Sequence, residues 1–176
     1  MAATLPERSD RQREILEVAR GLLARDGIEA LSLGAVAKTL GIKTPSLYKH
    51  FASRADIEAA LIAEGLLELA EALEGAGPDL HALGAAYRRF GLEQRELYRL
   101  MTAGPLPRAK LPEGLEARAA LPIQKALPDP HLARAAAAFA HGMVSLEIAQ
   151  RFPPWSKLEK SWARALDAFA AARPPG

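Results

Sequence analysis

Apolar residues recur every three or four positions along most of this chain, which is the pattern of amphipathic α-helices. The first run begins after a Ser9–Gln12 capping signal and ends at Gly27, where a glycine can adopt a left-handed conformation. Its expected buried face is Ile15, Ala19, Leu22 and Leu23. No segment shows the two-residue alternation of a β-strand, and there is no internal repeat. We therefore expect an all-α fold.

Further helices are predicted from the same periodicity and from glycine and proline breaks. A long fourth helix follows Ser53, and the Gly75-Ala76-Gly77-Pro78 segment ends it. A helical stretch with a kink near Gly91 comes next. The predicted helices of this half of the chain are 53–74, 79–103, 113–121 before Pro122, 130–152 after the Asp129 cap, and 156–172 with a Ser156–Glu159 capping box.

Two short helices, 32–40 and 45–51, are predicted on either side of Gly41. Ser32 is a suitable N-cap for the first, and Thr44 followed by Pro45 is a suitable start for the second. Leu47 and Phe51 lie one turn apart and should face the core. This spacing leaves Pro45, Ser46, Tyr48 and Lys49 on the outward face.

The charge of this segment indicates its ligand. Net charge is only +2, and residues 57–176 contain equal numbers of acidic and basic residues. Residues 38–54, by contrast, contain Lys38, Lys43, Lys49 and Arg54 and no Asp or Glu. A basic, acid-free helix-turn-helix is typical of a DNA-binding surface. We predict a helix-turn-helix DNA-binding domain over residues 1–54 and a second helical domain over residues 55–176.

The segment GIKTPSLYKHFASRADI resembles the TetR family of bacterial transcriptional regulators, and ILEVAR…LLARDGIEALSLGAVAKTLG matches the family's first two helices. AAYRRFGLEQRELYRLM and FAHGMVSLEIAQRFP are similar to the ligand-domain type named for a Trp-His-Gly motif, with Phe139-Ala140-His141-Gly142 at that position. The resemblance implies a homodimeric regulator, expected to be a repressor released by a small-molecule inducer from a near-palindromic double-stranded DNA operator.

The resemblance also implies roles for individual residues. Tyr48 and His50 correspond to phosphate contacts. Arg54 lies at the start of the fourth helix, where a cation and the positive helix end can jointly bind a phosphate. Gly34 replaces a long polar residue that enters the groove in some members. The complete set of predicted DNA-binding residues is Ser32, Lys43, Thr44, Pro45, Ser46, Tyr48, Lys49, His50 and Arg54.

The second domain offers candidates for a ligand pocket and for a dimer interface. Aromatic and methionine residues at helical spacing are more often core than pocket, and a histidine such as His141 on an apolar helix is more often a packed residue than a ligand contact or switch. The pocket candidates are Tyr87, Phe90, Tyr98, Met101, His141 and Met143. The interface candidates, on the last two helices, are Leu132, Phe139, Leu146, Leu158, Trp162, Leu166 and Phe169.

Other function classes find little support. The chain contains no cysteine, no catalytic motif and no metal-ligand spacing, so we expect no catalytic residue, metal site or cofactor. We interpret Glu64, Glu68 and Glu71 as a solvated acidic stripe. The absence of a signal-peptide pattern and of a membrane-length apolar run predicts a cytoplasmic protein with no membrane partner. A helical protein-binding adaptor and an all-α enzyme remain the alternatives.

Overall fold

The structure is a computed structural model and describes residues 3–172. All regular structure in that range is helical, which confirms the predicted fold class. Two short 3₁₀ turns, Ile28–Ala30 and Arg108–Lys110, interrupt the α-helices. The helices are α1 (Asp10–Asp26), α2 (Leu33–Thr39), α3 (Thr44–Leu47), α4 (Arg54–Ala76), α5 (Leu80–Glu93), α6 (Arg95–Thr102), α7 (Leu115–Ala126), α8 (Pro130–Ile148) and α9 (Leu158–Ala171).

The chain forms two compact units, each with its own core. Unit 1 contains the described residues up to Glu68 together with Gln94–Leu115, and unit 2 contains Leu69–Glu93 and the described residues from Glu116 onward. The long helix α4 therefore contributes its first part to unit 1 and its last two turns to unit 2. The domain boundary predicted after residue 54 is a functional division and stays a prediction.

The core of unit 1 is built around the inner faces of α1 and α4. Ile15, Ala19, Leu22 and Leu23 are all buried, as predicted for α1. Ser9 and Gln12 form the reciprocal capping box at its start, and Gly27 ends it with a φ of 79°. The buried partners of this face on the other elements are Leu31, Val36, Ala37, Leu47, Phe51, Ile57, Leu61, Ile62, Leu97 and Leu100.

The acidic stripe on α4 is not simply solvated, which corrects the sequence interpretation for two of its three residues. Arg8 forms an ion pair with Glu64, and Arg20 pairs with both carboxylate oxygens of Glu68. Hydrogen bonding to Glu68 raises the pKa of Arg20. The sequence pattern places these glutamates on one helix face but does not reveal the arginines that pack against it.

Unit 2 packs α5 against α8 and α9, with small residues at the helix contacts. The buried face of α8 is Ala133, Ala136, Ala140, Val144 and Ile148. A Cβ atom added to Gly84 of α5 would lie 2.7 Å from Leu166 Cδ1 of α9, so the glycine permits the two helices to approach closely. The larger apolar residues of α8 outside this face are half-buried or exposed: Leu132, Phe139 and Leu146.

Several helix boundaries differ from the predicted ones, each for an identifiable reason. The helix predicted to stop before Pro122 continues to Ala126 as α7, because the turn beyond the proline buries Ala126 and Leu127. The break predicted near Gly91 lies at Gln94, where φ is −110° and ψ is 45°.

The helix predicted to reach Phe152 ends at Ile148. Gln150 adopts a φ of 53°, and the N–H of Arg151 donates to the carbonyl of Leu146 at 2.9 Å. This is the Schellman arrangement, which usually requires glycine and was therefore not visible in the sequence. The Ser156–Glu159 capping box is wrong as well: Lys157 is the N-cap of α9 and makes no side-chain capping bond.

Candidate nucleic-acid interface and ligand cavity

The turn between α2 and α3 is set by Ser32 and Gly41. The Ser32 hydroxyl accepts a hydrogen bond from the N–H of Ala35 at 3.1 Å, which confirms its predicted capping role. Gly41 has a φ of 66°, and the N–H of Ile42 donates to the carbonyl of Ala37 at 3.0 Å. These bonds end α2 in a Schellman motif, so the direction in which α3 leaves is determined locally.

Helix α3 is short: it begins one residue earlier than predicted and ends at Leu47 instead of continuing to residue 51. Thr44 is its first helical residue and Lys43 is the N-cap, without a side-chain capping bond. Pro45 occupies the first turn, where no N–H is needed. The N–H groups of His50 and Phe51 both donate to the carbonyl of Leu47, so the chain continues as a tight turn beyond the four-residue helix.

Leu47 and Phe51 anchor this segment to the core of unit 1, as predicted. Leu47 is fully buried and Phe51 nearly so. Gln12 of α1 adds a longer contact, since its Nε2 lies 3.4 Å from the His50 carbonyl oxygen that accepts from it. Hydrophobic anchoring at two inward positions leaves the opposite side of the segment facing away from the core.

We name residues 43–50 the recognition segment. Its outward positions Lys43, Pro45, Ser46, Tyr48 and Lys49 are exposed, and Thr44 and His50 are half-buried. The structure therefore brings most of the predicted DNA-binding residues onto one accessible surface. The Tyr48 ring is 54% exposed and so is accessible on this surface.

The predicted DNA-binding residue Ser32, and Gly34, which replaces a groove-entering residue of some family members, lie on α2. Ser32 is exposed at the start of α2 with its hydroxyl used for capping. Gly34 is exposed on α2 with open space around its Cα atom. Gly34 therefore offers no side chain for a base contact from α2.

Arg54 is engaged by neighbours of its own unit. Its Nε donates to Glu58 Oε1 at 2.7 Å, and its Nη2 donates to the carbonyl oxygen of Ile28 at 3.0 Å. The Arg54 side chain is 41% exposed and the Glu58 side chain 26% exposed. Sequence reasoning missed Glu58, although the four-residue spacing of an arginine and a glutamate on one helix is a usable signal.

The start of α4 is fixed by a small polar cluster. The N–H of Asp56 donates to Ser53 Oγ at 3.2 Å, and the Ser53 hydroxyl donates to Asp56 Oδ2 at 2.8 Å. Lys110 Nζ contacts Asp56 Oδ1 at 2.6 Å. The hydrogen bonds from Lys110 and Ser53 lower the pKa of Asp56. The cluster holds the α4 N-terminus, and with it Arg54, in place.

Unit 2 contains an apolar cavity of about 120 Å³. Its walls come from the last turns of α4 and from α5, α7, α8 and α9. Within residues 3–172, Tyr87 carries the only polar side-chain group of the lining. The lining residues in that range are Leu69, Leu73, Leu80, Leu83, Gly84, Tyr87, Ala119, Ala120, Ile123, Ala136, Ala137, Ala140 and Leu166.

The structure does not bring the six predicted pocket residues together. Only Tyr87 lines the cavity of unit 2. Phe90 is buried in that unit away from the lining set, and His141 and Met143 are half-buried on α8. Tyr98 and Met101 belong to unit 1, where Tyr98 is almost fully buried. Alanines, leucines and a glycine form most of the real cavity wall, and such residues give no distinctive sequence signal.

The predicted interface residues divide into an outer and an inner set. Trp162 and Leu166 are buried within unit 2, whereas Leu146 is 42% exposed. The half-buried members are Leu132, Phe139, Leu158 and Phe169. The Phe139 ring lies 5.4 Å from that of Trp162 in an edge-on arrangement and 5.9 Å from that of Phe169, centroid to centroid.

The carboxylate of Glu147 stabilises the inner set of these residues. Glu147 accepts hydrogen bonds from the Arg88 guanidinium, at 2.6 Å from Nη2 to Oε2, and from Trp162 Nε1, at 2.9 Å. The hydrogen bond from Arg88 to Glu147 raises the pKa of the arginine. The Glu147 carboxylate of α8 is thereby hydrogen-bonded to both α5 and α9, and hydrogen bonds to an ionised group are the stronger kind.

Comparison with protein families agrees with both units. Residues 15–61 match the family described as bacterial regulatory proteins, tetR family, and residues 80–169 match the tetracyclin repressor-like C-terminal domain. The chain belongs to the TetR family. As a TetR-family protein it is a DNA-binding transcriptional regulator, and its family and fold are those of regulators rather than enzymes. The Trp-His-Gly subtype is not confirmed by these matches and stays a prediction.

Solved structures share the TetR-type fold over nearly the whole chain. SCO4313, named as a regulatory protein, is 25% identical with a TM-score of 0.75, covering 95% of this chain and 100% of that one. A protein of unknown function from Rhodococcus sp. RHA1 is 24% identical with a TM-score of 0.78, covering 96% and 98%. The multidrug binding protein EbrR, complexed with imidazole, is 22% identical with a TM-score of 0.68, covering 96% and 97%. No curated protein matches the chain.

Residues 3–172 of this TetR-family chain contain neither a metal-binding cluster nor a membrane-spanning helix. No group of three or more His, Asp or Glu residues there is arranged to hold a metal ion. No helix in the same range is both long and apolar enough to cross a membrane.

Proposed function

We propose that this regulator is a homodimeric repressor that binds a near-palindromic operator through the recognition segment. The observation that carries this proposal is the outward face formed by Pro45, Ser46, Tyr48 and Lys49 on a segment anchored by Leu47. In this arrangement Thr44, Ser46 and Lys49 can reach base edges in a major groove. Lys43, Tyr48, His50 and Arg54 contact phosphates and set the register.

Dimerisation would use the outer faces of α8 and α9. Leu146 is exposed, and Leu132, Phe139 and Phe169 are only half-buried, so apolar surface remains for a partner. A two-fold pairing of two helices from each protomer gives a four-helix interface. Such a dimer presents two recognition segments about 34–36 Å apart, or at a multiple of that spacing, which is why the operator should be near-palindromic.

We also propose that a small molecule binds the unit 2 cavity and releases the repressor from its operator. The neighbour EbrR is named a multidrug binding protein, which is consistent with a ligand role for this fold. Ligand binding can shift the protein only if one conformation binds it more tightly. Helix α4 contributes to the cavity wall through Leu69 and Leu73, and the same helix begins at Arg54, so it is the direct covalent connection to the DNA-binding surface.

The site of action would be the cytoplasm, where a bacterial operator is accessible. The proposal is tested by measuring mass by light scattering and by selecting operators from random DNA with the full chain. We expect a dimer and a selected sequence with two inverted half-sites one helical turn apart. A monomer that selects a single half-site would contradict the dimeric proposal.

A further inference from the structure

The chemistry of the unit 2 cavity restricts what it can hold. Among residues 3–172, the lining apart from Tyr87 consists of hydrocarbon side chains and Gly84, with no charged residue. A charged ligand would lose its hydration there without gaining a counter-charge. Nor does the lining offer the several convergent polar groups that orient a hydrophilic ligand.

Cavity size gives a second restriction. A volume of about 120 Å³ is below the range of roughly 300–1,000 Å³ that is usual for drug-sized ligands. It is close to the engineered apolar cavity of about 150 Å³ that stays dry and binds benzene or xenon. A ligand of one ring, or one short alkyl group, is therefore the largest that fits without rearrangement.

We propose that the effector of this regulator is a small uncharged hydrocarbon-like molecule, such as a monocyclic aromatic or a short branched alkane, held in the unit 2 cavity. This inference rests on the proposed inducer function and names its ligand class. Leu69 and Leu73 of α4 and Leu166 of α9 form part of the wall. A ligand that fills the cavity therefore restrains both the first and the last helix of unit 2 in chain order.

The first experiment measures thermal unfolding of the full chain with benzene, toluene, benzoate and benzylammonium. Benzene and toluene should raise the midpoint in a concentration-dependent way, because they bind only the folded state. Benzoate and benzylammonium should not. An equal rise with the charged analogues, or no rise with either hydrocarbon, would overturn the proposed ligand class.

A matched pair of variants locates the binding. Ala120 lines the cavity, whereas Ala117 lies one turn earlier on the exposed side of the same helix. Ala120→Leu should abolish the toluene-induced rise, and Ala117→Leu should leave it unchanged. Should Ala120→Leu fold poorly, Ala137→Leu on α8 fills the cavity from another wall. Retention of the rise in both folded filling variants would place toluene elsewhere.

Operator retardation separates this inference from the proposed function. We expect toluene, but not benzoate, to weaken operator binding by the wild type and not by the filled variants. If toluene raises the midpoint without changing retardation, the ligand class stands and the inducer role fails. If the protein binds its operator but no hydrocarbon binds the protein, the regulator stands and the ligand class fails.

A different observation concerns the charge at the DNA-binding surface. Arg54 is the proposed phosphate contact at the start of α4, yet its guanidinium donates to Glu58 at 2.7 Å and to the Ile28 carbonyl at 3.0 Å. The Glu58 carboxylate is itself partly exposed one turn from the helix N-terminus. A phosphate approaching Arg54 must therefore also approach a negative charge.

We propose that Glu58 is a positioning residue that restrains Arg54 and limits its contribution to sequence-independent DNA affinity. The inference rests on the proposed contact between Arg54 and phosphate. Exposed ion pairs of this kind are weak, so an incoming phosphate can displace the carboxylate. As a result, Arg54 forms its full contact with a phosphate only when the recognition segment is closely docked on the DNA, and not in a loose first encounter with it.

The test is the salt dependence of binding to random and operator DNA by Glu58→Gln, Arg54→Ala and the double variant. Each phosphate contact contributes a slope of about −0.9 in log K against log salt. Glu58→Gln should tighten binding to random DNA several-fold and steepen its slope by up to about one unit, with a smaller gain on the operator. In the double variant the slope should return to that of Arg54→Ala.

Glu17→Gln on the exposed side of α1 controls for the change in net charge. An unchanged or shallower slope for Glu58→Gln would overturn the restraining role. An unchanged slope for Arg54→Ala would instead contradict the proposed phosphate contact, so the two failures are distinguishable.

Discussion

The recognition segment and helix α8 place their large side chains in opposite ways. In the recognition segment the apolar anchor Leu47 points inward and the large polar side chains of Tyr48 and Lys49 point out. In α8 the inward face consists mainly of alanines, and Leu146 is 42% exposed. In the recognition segment, the hydrophobicity of a side chain determines whether it is buried. In α8, the narrow space between the helices determines it.

The difference teaches how each surface should meet its partner. The recognition segment exposes hydrogen-bond donors and cations, which suit a polyanion that is bound and released. Helix α8 leaves apolar surface uncovered after its own core is complete, which suits a permanent protein partner. Changes that reverse either arrangement should affect binding in one case and assembly in the other.

The largest effect is expected from placing a charge on the outer face of α8. Leu146→Asp should weaken dimerisation by about 3 kcal/mol or more, a hundredfold or more, because the carboxylate would be buried at an interface without a partner. Light-scattering mass against concentration, together with operator retardation, measures the loss. Leu121→Asp on α7 is the matched control, since Leu121 is 43% exposed. Equal behaviour of the two variants would argue against an α8 interface.

Reversing the small inward face of α8 should affect folding rather than assembly. Ala133 is buried and does not line the cavity, so Ala133→Leu should overpack the contact and lower the free energy of unfolding by about 1–3 kcal/mol. Ala138→Leu, on the exposed side of the same helix, should change it by no more than about 0.5 kcal/mol. Urea unfolding is the measurement, and a tolerated Ala133→Leu would show that the α8 contact is loosely packed.

Removal of an outward cation tests the recognition segment. Lys49→Ala should reduce the preference for operator over random DNA by about 1–3 kcal/mol, if Lys49 donates to a guanine edge. Competition retardation with both DNAs measures that preference. The fold should be unaffected because Lys49 is exposed. Uniform weakening on all sequences would assign Lys49 to phosphate instead.

A subtler change removes one hydroxyl from the same surface. Tyr48→Phe keeps the ring and deletes a hydrogen bond to a charged phosphate, so DNA binding should weaken by about 1 kcal/mol or somewhat more. Thermal stability should stay the same because the ring is 54% exposed. Filter binding and a thermal scan distinguish these effects, and unaltered affinity would place the hydroxyl away from DNA.

The smallest effect concerns the cap of α8. Hydrogen bonds from the backbone N–H groups of Leu132 and His131 lower the pKa of Asp129 in the folded state. The ionised Asp129 carboxylate therefore stabilises the folded state at pH values above its pKa in the unfolded chain, about 3.9. This stabilisation is lost as the pH falls through the lower pKa of the folded state. Asp129→Asn keeps the cap but removes the titration, so the unfolding midpoint should fall less between pH 5 and pH 3. If the unfolding midpoint falls equally for both proteins between pH 5 and pH 3, the loss of stability in acid comes from other carboxylates.

The sequence alone determined the local structure of the helix-turn-helix and its recognition segment. Ser32, Gly41 and Pro45 act on backbone groups within a few residues of themselves, and Leu47 and Phe51 define the inward side by helical spacing. Such interactions need no knowledge of distant residues, so the helix-turn-helix and its outward face were predictable. The error of one residue at the start of α3 reflects the usual ambiguity of helix ends.

Only the tertiary structure decided which apolar residues are used by the core and which are left over. Ala136 lines the cavity and Phe139 does not. A sequence pattern records hydrophobicity but not the distances between helices that decide such packing. The same holds for charges: Glu68 of α4 meets its partner Arg20 of α1 only through helix packing. Helix caps and turns depend on short-range interactions and can therefore be predicted from the sequence. Cavities and ion pairs between helices depend on residues that only folding brings together.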